Sequence, residues 1–264
     1  MLKKRLIPCL FLKNGFLVRS EKFNQHQLLG NAVHQVDRFN AWNVDELIYI
    51  DITQDDEYDI GRDDMKVKGN NDILQILDCV AKSCFMPLTF GGRIRTMQDI
   101  HERVSRGADK VTINTQALKQ PGFITEASRI FGSQAIIVSI DVLLTESGQR
   151  EVVIDHGREL TGLDPVKWAL ESERLGAGEI FLNSVDRDGT GDGYDIELIT
   201  MVAEAVSIPV IACGGVGHFK HFAKGIIDGH ADAVAAGNIF HFTELSANQA
   251  RKALLKAGVD VRPL

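Results

Sequence analysis

The chain has 264 residues, 44% of them hydrophobic and 25% charged, with a net charge of −7. This is the make-up of a soluble globular protein, and the negative balance speaks against non-specific nucleic-acid binding. No apolar run is long enough to span a bilayer, and the short segment between Lys3-Lys4-Arg5 and Asn14-Gly15 is not a signal peptide. Cys9, Cys79, Cys84 and Cys213 have neither metal-ligand nor CxxC spacing. Cys9 and Cys213 fall in or at the end of predicted buried strands and are expected as small core residues, in a reducing cytoplasm, with no metal and no cofactor.

Strand and helix patterns alternate along the chain. Arg5 to Phe11 reads as a first strand and Asn31 to Asn43 as a first helix. Glu46 to Ile52 is a second strand, followed by a helix near Asn71 to Ser83. Met86 to Phe90 and Lys110 to Ile113 are strands three and four, flanking a helix near Thr96 to Arg106, and a further helix follows Pro121. Ala135 to Asp141, Glu179 to Ser184, Ile208 to Cys213 and Ala231 to Ala236 are the remaining strands. Their helices fall near Asp164 to Leu175, Tyr194 to Val206, Phe219 to Asp228 and Thr243 to Lys256. The strands are nearly continuous apolar runs, as parallel strands covered by helices should be. Eight such units close into a (βα)8 TIM barrel; the GxGxxG turn of an open dinucleotide-binding sheet is missing.

The two halves repeat each other, which divides the barrel into half-barrels of about residues 1–131 and 132–264. Gly91-Gly92 and Gly214-Gly215 each follow a short apolar strand headed by proline and precede a helix. Asn114-Thr115 and Gly237-Asn238 end the next strand in each half. Glycine lets bare backbone N–H groups face a ligand, and the helix start favours an anion there. Two phosphate cradles, one per half, suit a substrate with a phosphate at each end. Gly189 and Thr190, in the turn after Glu179 to Ser184, add donors, while Asp188 either fixes that turn or accepts from a substrate hydroxyl.

Three connections, Lys13 to Gly30, Thr53 to Asn70 and Val142 to Gly162, are longer than barrel packing needs, and all follow strands. The first carries Lys13, Arg19 and Lys22 and reads as a lid loop; the third reads as a short β-hairpin around Ser147-Gly148. Asp141, at the end of strand five, is a candidate general acid/base at the barrel mouth. Phe11 holds the matching place on strand one. His218 and His221 read as surface residues, not a metal site. Arg5, Glu46, Lys110 and Glu179 each precede the apolar core of a strand and meet at the barrel floor, as a stabilising ion-pair ring or a gate on a central passage.

Arg5 to Leu10, Asp45 to Leu47, Phe90 to Gly92, Gly107 to Val111, Ser184 to Thr190 and Ala212 to Gly215 together resemble HisF, the cyclase family of imidazole glycerol phosphate synthase. The resemblance covers essentially the whole chain. It implies a bis-phosphate ribulosyl-formimino substrate and ammonia delivered by a HisH-like glutaminase in a heterodimer. It also assigns Arg5, Glu46, Lys110 and Glu179 to an ammonia gate, and Asp109 and Gln134 to the glutaminase-facing side. Three positions depart from the family. Phe11 replaces a catalytic aspartate, Arg19 a loop lysine, and Asn238 a cradle serine. Phenylalanine can neither donate nor accept a proton, so the paired-carboxylate chemistry is disrupted.

An altered mouth on an intact floor resembles the paralogues of surface-polysaccharide pathways, where a sugar amidotransferase uses the ammonia to form an acetamidino group. The alternatives are an ordinary histidine-pathway cyclase relying on Asp141, and a silent scaffold that activates its glutaminase.

Overall fold

A computed structural model describes residues 3–55, 57–59, 72–242 and 244–263. Eight parallel strands form the barrel: β1 (Arg5–Lys13), β4 (Leu47–Asp51), β5 (Leu88–Gly91), β6 (Lys110–Ile113), β7 (Ile136–Leu144), β10 (Glu179–Ser184), β11 (Val210–Cys213) and β12 (Ala233–Ala236). They pair in chain order, β12 returns to β1, and β7 pairs with β10 to complete the ring. The eight-stranded barrel therefore has no open edge, and the expected TIM barrel is the observed fold.

The two-residue period of a strand sorts the side chains. On β1, Ile7, Cys9 and Phe11 point into the lumen, where they meet Ile48, Ile137, Phe181, Ile211 and Cys213. Leu6, Leu10 and Leu12 point outward into the layer beneath the helices. That outer layer is covered by α1 (Gln35–Ala41), α2 (Ile73–Ser83), α3 (Met97–Ser105), α4 (Thr115–Lys119), α5 (Gly122–Phe131), α6 (Pro165–Arg174), α7 (Ile196–Ala203), α8 (Lys220–Ile227), α9 (Ile239–Phe242) and α10 (Ser246–Lys256). Their starts carry local signals. Thr96 and Asp99 form a reciprocal capping box on α3, Asp72 caps α2, and Asp164 caps α6 just ahead of Pro165.

Two barrel strands overrun the rim. β1 continues to Lys13, turns at Asn14-Gly15 and returns antiparallel as β2 (Phe16–Glu21), which pairs in turn with β3 (Gln25–Asn31). The expected lid loop is thus a hairpin. Its Asn-Gly turn has both residues left-handed, the geometry that matches strand twist. Because β3 runs to Asn31, the first helix begins at Gln35 and not at Asn31. β7 likewise continues past Asp141 to Leu144 and pairs with β8 (Arg150–Ile154), which pairs with the short β9 (Glu159–Leu160). The hairpin expected in Val142 to Gly162 is present. Most of the Thr53 to Asn70 connection, the predicted helix start at Asn71 and that at Thr243 lie outside the described residues.

Among the described residues no helix is long and apolar enough to cross a membrane, and no cluster of three metal-ligating side chains occurs. The four cysteines are free, with Cys9 and Cys213 buried. His218 and His221 take local hydrogen bonds from the Lys220 and Gly217 amides at the start of α8.

Candidate functional site

The floor comes first along the lumen. Arg5 donates to Glu46 at 2.5 Å and to Glu179 at 2.7 Å; Lys110 donates to Glu179 at 2.5 Å and to Glu46 at 3.2 Å. Each cation therefore holds both carboxylates, and the four side chains close a ring across the barrel. Burial alone would raise the Glu179 carboxyl, but its hydrogen bonds and the charges of Arg5 and Lys110 hold it below its ordinary value. Burial alone would lower Arg5, but hydrogen bonds to Glu179 and Glu46 and their negative charges push it above its ordinary value. Asp109 and Gln134 lie exposed on this face, and Asp109 also accepts from the Leu88 amide at 2.8 Å.

Above the ring the lumen is mainly apolar, lined by Ile7, Ile48, Ile137, Phe181 and Ile211, with the buried hydroxyls of Thr89 and Ser139 in register with Ile48 and Phe181. From Arg5 to Phe11 is six residues of β1, a climb of about 20 Å along the strand at ~3.3 Å per residue. At the top lies a cavity of about 340 Å³ whose lining includes Phe11, Asp51, Asn114, Ser139, Asp141 and Asn183. Asn114 donates to Asp141 at 2.8 Å. The carboxyl of Asp141 is pushed up to about 7, chiefly by burial and then by the charge of Asp188, against hydrogen bonds from Asn114 and Asn183. A carboxyl in this range can both give and take a proton near neutrality.

The two glycine turns have different surroundings. Gly92 lines the cavity with Arg93, Arg95 and Thr115. Its φ is +87°, a Cβ there would overlap the Asp51 backbone, and buried Arg103 donates to its carbonyl at 2.9 Å. Gly91 ends β5 immediately below, its Cα packed on Thr112. In the second half, Gly214 and Gly215 are buried, and Gly237 packs on the Cys9 carbonyl and the Phe11 ring.

The β2–β3 hairpin lies against this second group. The Ser20 hydroxyl donates to Asp188 at 2.6 Å, the Lys22 amide donates to the Asp188 carbonyl, and the Asn238 amide donates to the Ser20 carbonyl at 2.9 Å. Gly189 is glycine because the Ser20 and Glu21 backbone passes over it. Thr190 donates to the Arg187 carbonyl. Arg19 pairs with Glu21 at 3.1 Å and lies over the Phe242 ring, outside the cavity lining.

Along its axis the barrel thus has a charged floor, a mainly apolar lumen and a carboxylate at the mouth. Residues 5–246 match the family described as histidine biosynthesis protein. The chain belongs to this family. Its members are enzymes of histidine biosynthesis built as TIM barrels of the HisA and HisF type.

Within this barrel, sequence reasoning missed several mouth residues. Asp51 ends β4 as a buried carboxylate, accepting from Thr53 and Tyr58 at 2.6 and 2.7 Å with Arg93 3.9 Å away. Burial raises its carboxyl despite these donors. Its signal was present, since it is a carboxylate at the C-terminal end of a barrel strand, the criterion that selected Asp141. His26 and His156 also line the cavity, and no spacing in the sequence marks them.

Proposed function

We propose that this chain is the synthase-type barrel of a two-component glutamine amidotransferase. Ammonia from a HisH-like glutaminase, docked on the floor at Asp109 and Gln134, passes Arg5, Glu46, Lys110 and Glu179 and rises through the lumen to Asp141. The floor ring carries this reading. A barrel that needed only stability could fill its floor with apolar side chains, because buried ion pairs rarely outperform packed hydrophobic residues. Four interlocked charges instead form a closure that can be opened by moving one cation. The apolar stretch above suits neutral ammonia over ammonium, since an unpaired charge would be costly there.

At the mouth, a phosphate-bearing substrate meets the N–H groups of the Gly91-Gly92 turn, and Asp141 exchanges protons with it. With Phe11 in place of the second carboxylate, we assign the protein to the amidation of a surface-polysaccharide sugar. In this role it passes ammonia towards a sugar amidotransferase that forms an acetamidino group. The retained Asp141, poised near neutrality, favours a second reading: a histidine-pathway cyclase that produces imidazole glycerol phosphate and aminoimidazole carboxamide ribonucleotide. A cyclisation assay separates them. Purified protein receives the bis-phosphate ribulosyl-formimino intermediate with excess ammonium, and substrate loss is followed by absorbance. The polysaccharide assignment expects no turnover, with recovery in Phe11→Asp. Steady turnover abolished by Asp141→Asn would overturn it.

A further inference from the structure

The roof of the mouth is made by two hairpins that meet. Gly157, in the turn between β8 and β9, packs beneath the Phe23 ring at the tip of the β2–β3 hairpin. His26 from β3 and His156 from the β8–β9 turn both line the cavity there. The Lys13 ammonium stands 3.5 Å from the His26 Nδ1. The turn carrying His156 is strained: Asp155 and His156 have φ of 52° and 60°, both left-handed without being glycine. Such a conformation is unfavourable for a residue with a Cβ, and strain of this kind gathers where a side chain must be aimed.

We propose that His26 and His156, with Lys13 behind them, form an anion subsite in the roof of the mouth that takes a phosphate-class dianion. The inference rests on the reading that the mouth receives a phosphate-bearing substrate, and it supplies that substrate with a second anion position. The second-half cradle is covered by the hairpin, which spends the Asn238 amide and the Asp188 carboxylate on Ser20. The roof, by contrast, opens onto the cavity whose lining also includes Gly92.

The charges around the two imidazoles agree with this role. Burial, Lys13 and His156 hold His26 below its ordinary pKa. Burial, Arg158 and Lys13 do the same to His156, against Asp155 and Asp51, which favour its protonation. Arg158 is itself paired with Asp155 at 2.8 Å, and Asp51 is held by Thr53 and Tyr58. Without a ligand the two rings disfavour each other's protonation. A dianion between them reverses that balance, so binding takes up protons and tightens as the pH falls.

Sulfate is the probe, because its charge is constant across the range in which histidine titrates. Imidazole resonances of the full-length protein are followed by NMR from pH 5 to 8, with and without saturating sulfate, and affinity is measured by calorimetry at pH 6 and 8. The expected result is an upward shift of both imidazole pKa values by at least half a unit. Affinity should be at least threefold higher at pH 6. His26→Gln or His156→Gln should weaken binding at least threefold and flatten its pH dependence, whereas His218→Gln on the outer surface should do neither. Sulfate binding that leaves both imidazoles unmoved would overturn the subsite while leaving the Gly92 cradle, and the function built on it, standing. Absence of binding at either pH would overturn the subsite as well; the ammonia route would still be judged by its own assay.

Discussion

Replacing Lys110 with methionine tests whether the floor ring is a closed electrostatic unit. The change keeps most of the side-chain volume and removes one cation, so Glu46 and Glu179 are left to share Arg5. The four side chains are between 7% and 22% exposed, so the loss should fall somewhat below the ~3–5 kcal/mol seen when one partner of a fully buried pair is removed. We expect about 2–3 kcal/mol on this argument. Unfolding entropy near 2.1 cal/mol/K per residue makes this about 4–5 °C in Tm for a chain of this size.

The pH dependence has a definite sign. Glu179 is held below its ordinary value of 4.5, so its contribution is present above that value and lost as pH falls through the lower folded value. Melting followed by circular dichroism should therefore show the full deficit at pH 7 and a smaller one in acid, once the pH has fallen through the lowered Glu179 value. The double variant K110M/E179Q, which restores charge balance, should recover at least half of the loss at pH 7. A deficit under 1 °C, or one equal at both pH values, would refute the reasoning.

Asn114→Leu removes one of two amides that hold the ionised Asp141, a charge-assisted bond of about 1.5–3 kcal/mol, or roughly 1–2 pK units. Carboxyl NMR should then place Asp141 above its parent value of about 7. Because a raised carboxyl loses stability as pH rises through its folded pKa, the variant's Tm deficit should widen above pH 7 and narrow at pH 5. Gly92→Ala puts a methyl group into the Asp51 backbone at a left-handed position; it should cost at least about 3 kcal/mol by chemical denaturation. Ser20→Ala removes the hydroxyl bond to buried Asp188, worth about 2 kcal/mol. Hydrogen exchange of the β2–β3 hairpin amides should accelerate by a factor of about 30, while the barrel strands stay protected.

Much of the barrel was legible because its signals are local. The apolar run Ile136 to Ile140 and the alternation of Ile7, Cys9 and Phe11 with Leu6, Leu10 and Leu12 follow strand periodicity directly. The repeated floor charges sat one residue before each apolar run and did meet. What escaped was decided at the rim. Asn14-Gly15 marks a hairpin turn as readily as the end of a strand, and only the pairing of β1 with β2 separates the two. The hydrogen bonds of Asn238 and Asp188 to Ser20 span 218 and 168 residues, beyond any local pattern. His26 and His156 are isolated in the sequence and adjoin one cavity only because both hairpins fold over it.

The central claim is that ammonia travels from floor to mouth, and nitrogen tracing tests it most directly. The protein is combined with a HisH-like glutaminase and a sugar amidotransferase, the partners the account proposes, and given amide-15N glutamine with excess unlabelled ammonium. The account predicts that most nitrogen in the sugar product carries 15N, and that K110M lowers this fraction severalfold while glutaminase turnover changes little. A product labelled only at the level of the bulk ammonium, or a labelled fraction untouched by K110M, would contradict conduction through the barrel and leave a scaffold that activates its partner.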